Sequence, residues 1–328
     1  MSLDVFGVVR PNESLGTGDD LALVIPEYVG EVAGTYERTA KFAPFVDFQS
    51  VSGTATITKE GIGESTLGVI TPGTTPDQTS PNQNAQHSLT IDTVVLARTM
   101  LPMLDVFQKR YDVRMAIARE HGKKIGKLHD QSVIIQAAKA AAQAQSSYGA
   151  LPGHAGGTTI TVADFAAARD PAVLYGAVSN LLAAMEEKDV DPQADGVVLG
   201  LRPDLFYALM DAEQIVNSNY VTFNGKEIVN AKILKAFDIP VISSNNVPRT
   251  AITGHLLSNA RNSSAYDGDF TKLVAAAFSP EALLGGETIP LTSKVFWDDV
   301  SKHWYVDSWV AYGIKPDQAA KAGRIVIV

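Results

Sequence analysis

No cysteine occurs among the 328 residues, so disulfides, thiolate metal sites and cysteine nucleophiles are excluded, and a reducing compartment is permitted. Long apolar runs are missing as well. No stretch approaches the roughly 18 residues of a membrane-spanning helix, and the opening MSLDVFGVVRPNES lacks the basic, apolar and cleavage regions of a signal peptide. The expectation is a soluble, cytoplasmic chain with no membrane partner. Positive charge is also scarce: 27 Lys and Arg face 36 Asp and Glu, for a net charge of −9. That balance argues against a dedicated nucleic-acid binder, because a phosphate backbone demands clustered positive surface.

Catalytic motifs are missing too. There is no GxxxxGK[ST], GxSxG or HExxH, and the glycine-rich run Gly61 to Gly68 follows a polar strand and reads as turn chemistry. His121 and His129 stand eight apart, which is not a metal-binding helical spacing. Asp298 and Asp299 are adjacent, and neighbours on a strand face opposite ways, so they read as hairpin-turn residues. Two Asn-x-Ser matches, at Asn12 and Asn262, carry little meaning without a secretory signal. Nothing here calls for a cofactor, a metal or an enzyme.

What is present is 45% hydrophobic residues, enough for a sizeable core in one large or two medium domains. Residues 1–44 mix Gly, Pro and short apolar stretches and read as an extended arm with one short helix. From Phe45 to Lys59 the pattern is strand-like, Lys59, Glu60, Gly61, Gly63 and Glu64 form a turn, and Leu89 to Leu96 is the returning strand. Between them Thr71 to Gln86 has only Ala85 as an apolar residue, so it must be loop. A two-stranded ribbon of this kind is marginal in water and needs its own chain or a neighbouring molecule to hold it.

Asp105 to Gln145 is one unbroken helical pattern, a rod of roughly 60 Å at 1.5 Å per residue. A rod that long suggests a flat or extended plate. Phe107, Tyr111, Arg114, Ala118, His121, Ile125, Leu128, Ser132 and Ile135 fall on one stripe, and Gly122 and Gly126 allow either close packing or a bend. Between Met103 and Gln145 eight Lys or Arg, among them Lys123, Lys124 and Lys127, outnumber four acids. A compact α/β module follows, with helices at Leu174 to Glu187, RPDLFYALMDAE and NAKILKAF and strands at GVVLGL and IPVISSNNVP. A long hairpin, Thr292 to Asp299 with Lys302 to Tyr312, holds all three tryptophans and has bulky residues on both faces.

Three stretches carry a resemblance: RPDLFYALMDAE at Arg202 to Glu213, ILKAFDIPVISSNNVP at Ile233 to Pro248, and WYVDSWVAYGIKPDQA at Trp304 to Ala319. With the order of elements, they make the chain similar to major capsid proteins of tailed bacteriophages, of the short-tailed podovirus branch, with the Hong Kong 97-like α+β fold. The resemblance implies an N-terminal arm (1–44), an extended hairpin loop lying over a neighbouring subunit (45–98), and a peripheral domain with the spine helix (99–157). It also implies an axial domain (158–290) and a long hairpin returning through the peripheral domain (291–328). It implies hexamers and pentamers of the chain itself in an icosahedral shell around double-stranded DNA, made in the host cytoplasm. A separate scaffolding protein and a portal go with it, and a decoration protein is allowed. The loop tip Lys59 to Glu64 becomes an intersubunit contact, Ile125, Leu128, Gly122 and Gly126 spine packing or bend, and Lys123, Lys124 and Lys127 a weak, non-specific DNA-facing stripe. An encapsulin-type cargo shell and an oligomeric α/β enzyme are the alternatives.

Overall fold

A computed structural model describes residues 20–65, 67, 69, 72–73, 83–102, 113–212, 234–236 and 239–328. The first turns of the expected long helix, with Phe107 and Tyr111, the VTFNGK segment and most of the Thr71 to Gln86 loop lie outside these residues. The helices are α1 (Asp20–Thr39), α2 (Val113–Ala142), α3 (Phe165–Ala168), α4 (Pro171–Glu186) and α5 (Pro203–Met210). The strands run β1 (Phe48–Ser50), β2 (Thr56–Ile62), β3 (Asn84–Thr90), β4 (Val95–Pro102), β5 (Thr158–Val162), β6 (Val198–Leu201) and β7 (Leu234–Ala236). They continue with β8 (Ile239–Ser243), β9 (Ala251–Ile252), β10 (Gly268–Asp269), β11 (Leu273–Phe278), β12 (Leu283–Asp298), β13 (His303–Pro316) and β14 (Ala322–Ile327). The chain forms two compact units: residues 1–43, 91–130 and 287–312, and residues 44–90, 131–286 and 313–328.

In the first unit α1 lies against the N-terminal part of α2. The one short helix expected in residues 1–44 is instead a 20-residue helix, Asp20–Thr39, that takes in LALVIPEYV. Pro26, Gly30 and Gly34 hide the helix from a propensity reading, and tertiary packing overrides them. The glycines of α2 explain how. A Cβ on Gly122 would lie 2.6 Å from the Val32 carbonyl oxygen, and one on Gly126 would lie 3.0 Å from Thr39 Cβ. Close packing, not a bend, is what these two glycines provide. Beyond the end of α1 the buried Asp130 carboxylate accepts the Lys41 and Phe42 amides at 3.0 and 2.9 Å, fixing the helix exit to α2. Val32, Leu101, Ala118, Val295 and Val306 form the core. They join α1 and α2 to the sheet in which β13 pairs antiparallel with β4 from His303↔Pro102 to Val310↔Val95.

The second unit is built on a six-stranded sheet of order β5-β14-β11-β6-β8-β7. All six side chains of β11 are buried, as a central strand covered on both faces requires. Helix α4 starts where Asp170 accepts the Ala172 amide at 2.9 Å and that of Val173 at 3.4 Å, with Pro171 at the first helical position. Its Leu174, Leu181 and Met185 then pack with Leu199, Leu205, Leu209 and Val274. Gly323 on β14 admits Leu181, whose Cδ1 lies 2.8 Å from where a Cβ would stand.

Five boundaries differ from expectation. The long helix ends at Ala142 rather than Gln145, because Gly156 and Gly157 cross its end so closely that a Cβ on either would lie within 2.4 Å of a carbonyl oxygen. The returning strand is two strands, β3 and β4, with the buried Ile91 between them. Residues 84–86, expected as loop, belong to β3. Within NAKILKAF, residues 234–236 are an edge strand, pairing Leu234 with Val241 on β8, so sheet addition replaces the expected helix there. The closing hairpin is longer than the pattern suggested, Leu283–Asp298 with His303–Pro316. Its turn is made by Asp298, which accepts from the Val300 and Ser301 amides and the Ser301 hydroxyl.

Candidate functional site

Strands β2 and β3 form a ribbon in regular antiparallel register, from Thr56↔Thr90 to Ile62↔Asn84. The expectation of a turn at Lys59 to Glu64 is corrected: Lys59 to Ile62 are strand residues, and the Gly63 amide still donates to the Gln83 carbonyl at 2.8 Å. Glycine misled because Gly61 is required by a contact rather than by a turn. A Cβ there would sit 2.6 Å from the Tyr148 ring, and glycine inside a strand often marks such an approach.

Below the ribbon sits a buried carboxylate. Asp317, fully buried, accepts from Lys59 Nζ on one oxygen and from His87 Nε2 at 2.8 Å on the other, while the Tyr148 hydroxyl also donates to it. Burial by itself would raise the Asp317 carboxyl; hydrogen bonds from His87, Lys59 and Tyr148, with the Lys59 charge, outweigh it and hold the group below the usual carboxylate range. The same burial, and then the bond to Asp317, push the Tyr148 phenol up. His87 presents Nε2–H to the carboxylate, and its buried Nδ1 has no hydrogen-bond partner among the described residues.

The segment carrying Tyr148 and the end of β13 close around the ribbon. Glu64 N donates to Pro152 O at 2.9 Å, His154 Nε2 to Ile62 O at 3.1 Å, Lys315 Nζ to Ser88 O at 2.8 Å, and Ser147 Oγ to Pro316 O at 2.7 Å. Glu60 and Glu64 remain exposed. Beyond this clamp three apolar side chains stand in solvent: Ile62 at 69%, Leu67 at 100% and Val69 at 97% exposure.

On α2, Ala118, His121 and Ile125 are buried and Leu128 is half-buried, so the stripe faces inward. His121 meets Thr99 Oγ1 at 2.9 Å. His129 lies edge-on between Tyr36 and Tyr312, at 5.8 and 4.5 Å between ring centroids, and burial pushes its imidazole down to about 4. Lys123, Lys124 and Lys127 are exposed; Lys124 is 3.8 Å from Glu120 one turn earlier. On the opposite side of the β4–β13 sheet, Arg98 donates twice to the buried Asp307, at 2.8 and 2.6 Å, and its guanidinium lies over the Phe296 and Tyr305 rings. Leu96 and Met100 beside it are each half exposed.

Asp317, His87 and Tyr148 were not singled out from the sequence as site residues. One signal was there: a carboxylate directly after Lys315-Pro316 at the end of an apolar strand. Among the described residues no group of three or more His, Asp or Glu could hold a metal, and no helix is long and apolar enough to cross a membrane.

The sequence profile of the Gp10A-like family, described as major capsid protein, matches residues 70–283. Among solved structures the fold is similar to the capsid of cyanophage P-SCSP1u, at 17% identity and TM-score 0.74 over 88% of each chain. It is also similar to the mature capsid of bacteriophage PhiM1, at 21% identity and TM-score 0.70 over 88% of this chain and 87% of that one. A virus-like particle from Pyrococcus furiosus is similar at 10% identity and TM-score 0.54, over 92% and 99% of the two chains. No curated protein sequence matches.

Proposed function

The chain belongs to the Gp10A-like family of major capsid proteins, and from that premise we propose how its parts divide the work of building a shell. It is a structural subunit with the Hong Kong 97-like fold of tailed-phage capsids, and its place is the virion capsid. Residues 45–98 are the extended loop that reaches a neighbouring subunit. Helix α2 is the spine of a peripheral domain, the module of about 158–290 is the axial domain, and residues 291–328 return between them.

The observation that carries this reading is the exposure of Ile62, at the end of β2, and of Leu67 and Val69, which follow it in sequence, at 69–100%. Large apolar side chains left this exposed mark a contact surface. A neighbouring copy supplies the missing cover.

Subunits then associate as hexamers and pentamers, made in the host cytoplasm with a separate scaffolding protein and a portal, with a decoration protein optional. The exposed lysines of α2, Lys123, Lys124 and Lys127, make weak sequence-independent contact with packaged DNA on an otherwise acidic wall, which holds DNA without trapping it. Electron microscopy of the protein co-expressed with its scaffolding protein tests the reading: closed shells of uniform diameter are expected. A folded monomer at micromolar concentration, unaltered by scaffolding protein, would count decisively against it. An encapsulin-type cargo shell is the weaker reading, and the DNA content of filled particles separates the two.

A further inference from the structure

We propose that Asp317, in the Lys315-Pro316-Asp317 stretch that ends β13, is the positioning residue of the extended ribbon. It holds the ribbon base on the subunit's own module and sets the direction in which β2 and β3 leave it. This deepens the shell reading above and rests on it.

The placement carries the argument. Both ribbon strands send a side chain to the same buried carboxylate, Lys59 from β2 and His87 from β3, and these residues are direct partners across the ribbon. Asp317 therefore grips the ribbon at one rung. Its own backbone is fixed, since the Asp317 amide donates to the Ala282 carbonyl at 2.9 Å. Tyr148 supplies the second contact: its hydroxyl donates to Asp317 while its ring lies flush on Gly61, two residues along. One polar grip and one steric stop, two residues apart on the ribbon, define a direction. A single contact would leave the ribbon free to pivot.

The ribbon has little else to hold it. Four of the seven β2 side chains and four of the seven β3 side chains are exposed, and Leu89 is the one large apolar side chain of these strands that is buried, so the polar contacts carry most of the hold. The backbone clamps of Glu64 on Pro152 and His154 on Ile62 lie at the far end of β2 and mark where the docked part stops. The carboxylate is held as an anion by three donors, which suits a permanent anchor and not a reactive group. Condensation with Lys59 would need a neutral acid.

The test is hydrogen exchange on the full chain, unassembled and in shells, for Asp317→Asn, Lys59→Met and Gly61→Ala. Amides of residues 56–62 and 84–90 should lose protection by about tenfold or more in the unassembled variants, while β6 and β11 exchange as in the parent, and shell yield should fall several-fold. Lys59→Met guards against simple misfolding, because its side chain is more than one-third exposed and outside the core. Unchanged ribbon protection in Asp317→Asn and Lys59→Met overturns the proposal. Equal loss of protection in β6 and β11 also overturns it, by making Asp317 an ordinary core residue. Faster ribbon exchange with normal shell yield overturns the positioning role and leaves the shell reading intact. Failure of the parent chain to form shells removes the shell reading, whatever the ribbon does.

Discussion

Strands β11 and β2 have six and seven residues in the same unit, and they are held in opposite ways. Every side chain of β11 is buried between two pairing strands and a helix layer. In β2 only Gly61 is buried, and the strand pairs on one edge alone. The first needs nothing outside its own sheet. The second is placed by a few polar contacts and ends in the exposed Ile62, which under the proposed reading is left for a neighbouring subunit. Fold stability and assembly therefore sit in different parts of one chain, which is what a subunit needs if it must be soluble before it joins a shell.

The largest effect should come from placing one charge in each region. Leu181→Asp puts an unpaired carboxylate among Met185, Leu199 and Val274, at several kcal/mol from a total of about 5–15 kcal/mol, and should give insoluble protein. Thr58→Asp, on an exposed ribbon position, should change the melting midpoint by less than about 0.5 kcal/mol equivalent. Similar losses from both would erase the distinction.

Acid should separate the two units next. His129 is buried among rings with its folded pKa about 4 against an ordinary 6.5, so the unfolded chain binds the proton more readily. Stability of the first unit is then full above about pH 6.5 and falls as pH drops towards 4, by up to about 3 kcal/mol. The Asp317 carboxyl is depressed, so its contribution is present at neutral pH and is lost only as pH falls below the ordinary carboxylate range through its lowered value. Exchange measured against pH should show the α1–α2 contact loosening first and the ribbon base later. His129→Gln should remove the early phase, and an unchanged early phase would assign it elsewhere.

The smallest effect on shell building should come from the lysines. Reversing Lys123, Lys124 and Lys127 together should lower DNA retention in filled particles while changing shell yield less than twofold, because all three are exposed and the Lys124–Glu120 pair is a weak surface one. Equal DNA retention in variant and parent would reduce them to solvated surface.

Regular, buried elements were legible in the sequence. Leu174 to Glu187 reads as the helix that Pro171–Glu186 is, because its apolar period matches the face it buries, and GVVLGL contains the buried β6. Glycine caused the misses. Gly61 read as part of a turn, yet it admits Tyr148, and the mix of Gly and Pro in residues 1–44 read as an arm with one short helix, yet Gly30 and Gly34 lie within the 20-residue α1. A glycine that admits a distant ring cannot be told from one that bends the chain until the partner is known. Asp317 was hidden for the same reason: its donors lie 230 and 258 residues away along the chain, and no local pattern encodes them.

Hydrogen exchange compared between unassembled subunits and closed shells of the parent protein tests the division between core and ribbon most directly. The amides of β6 and β11 should be equally protected in both, the ribbon base should change little, and residues around Ile62 to Val69 should gain about tenfold or more on assembly. Full protection of that distal stretch in the unassembled subunit, or none in the shell, would contradict the account.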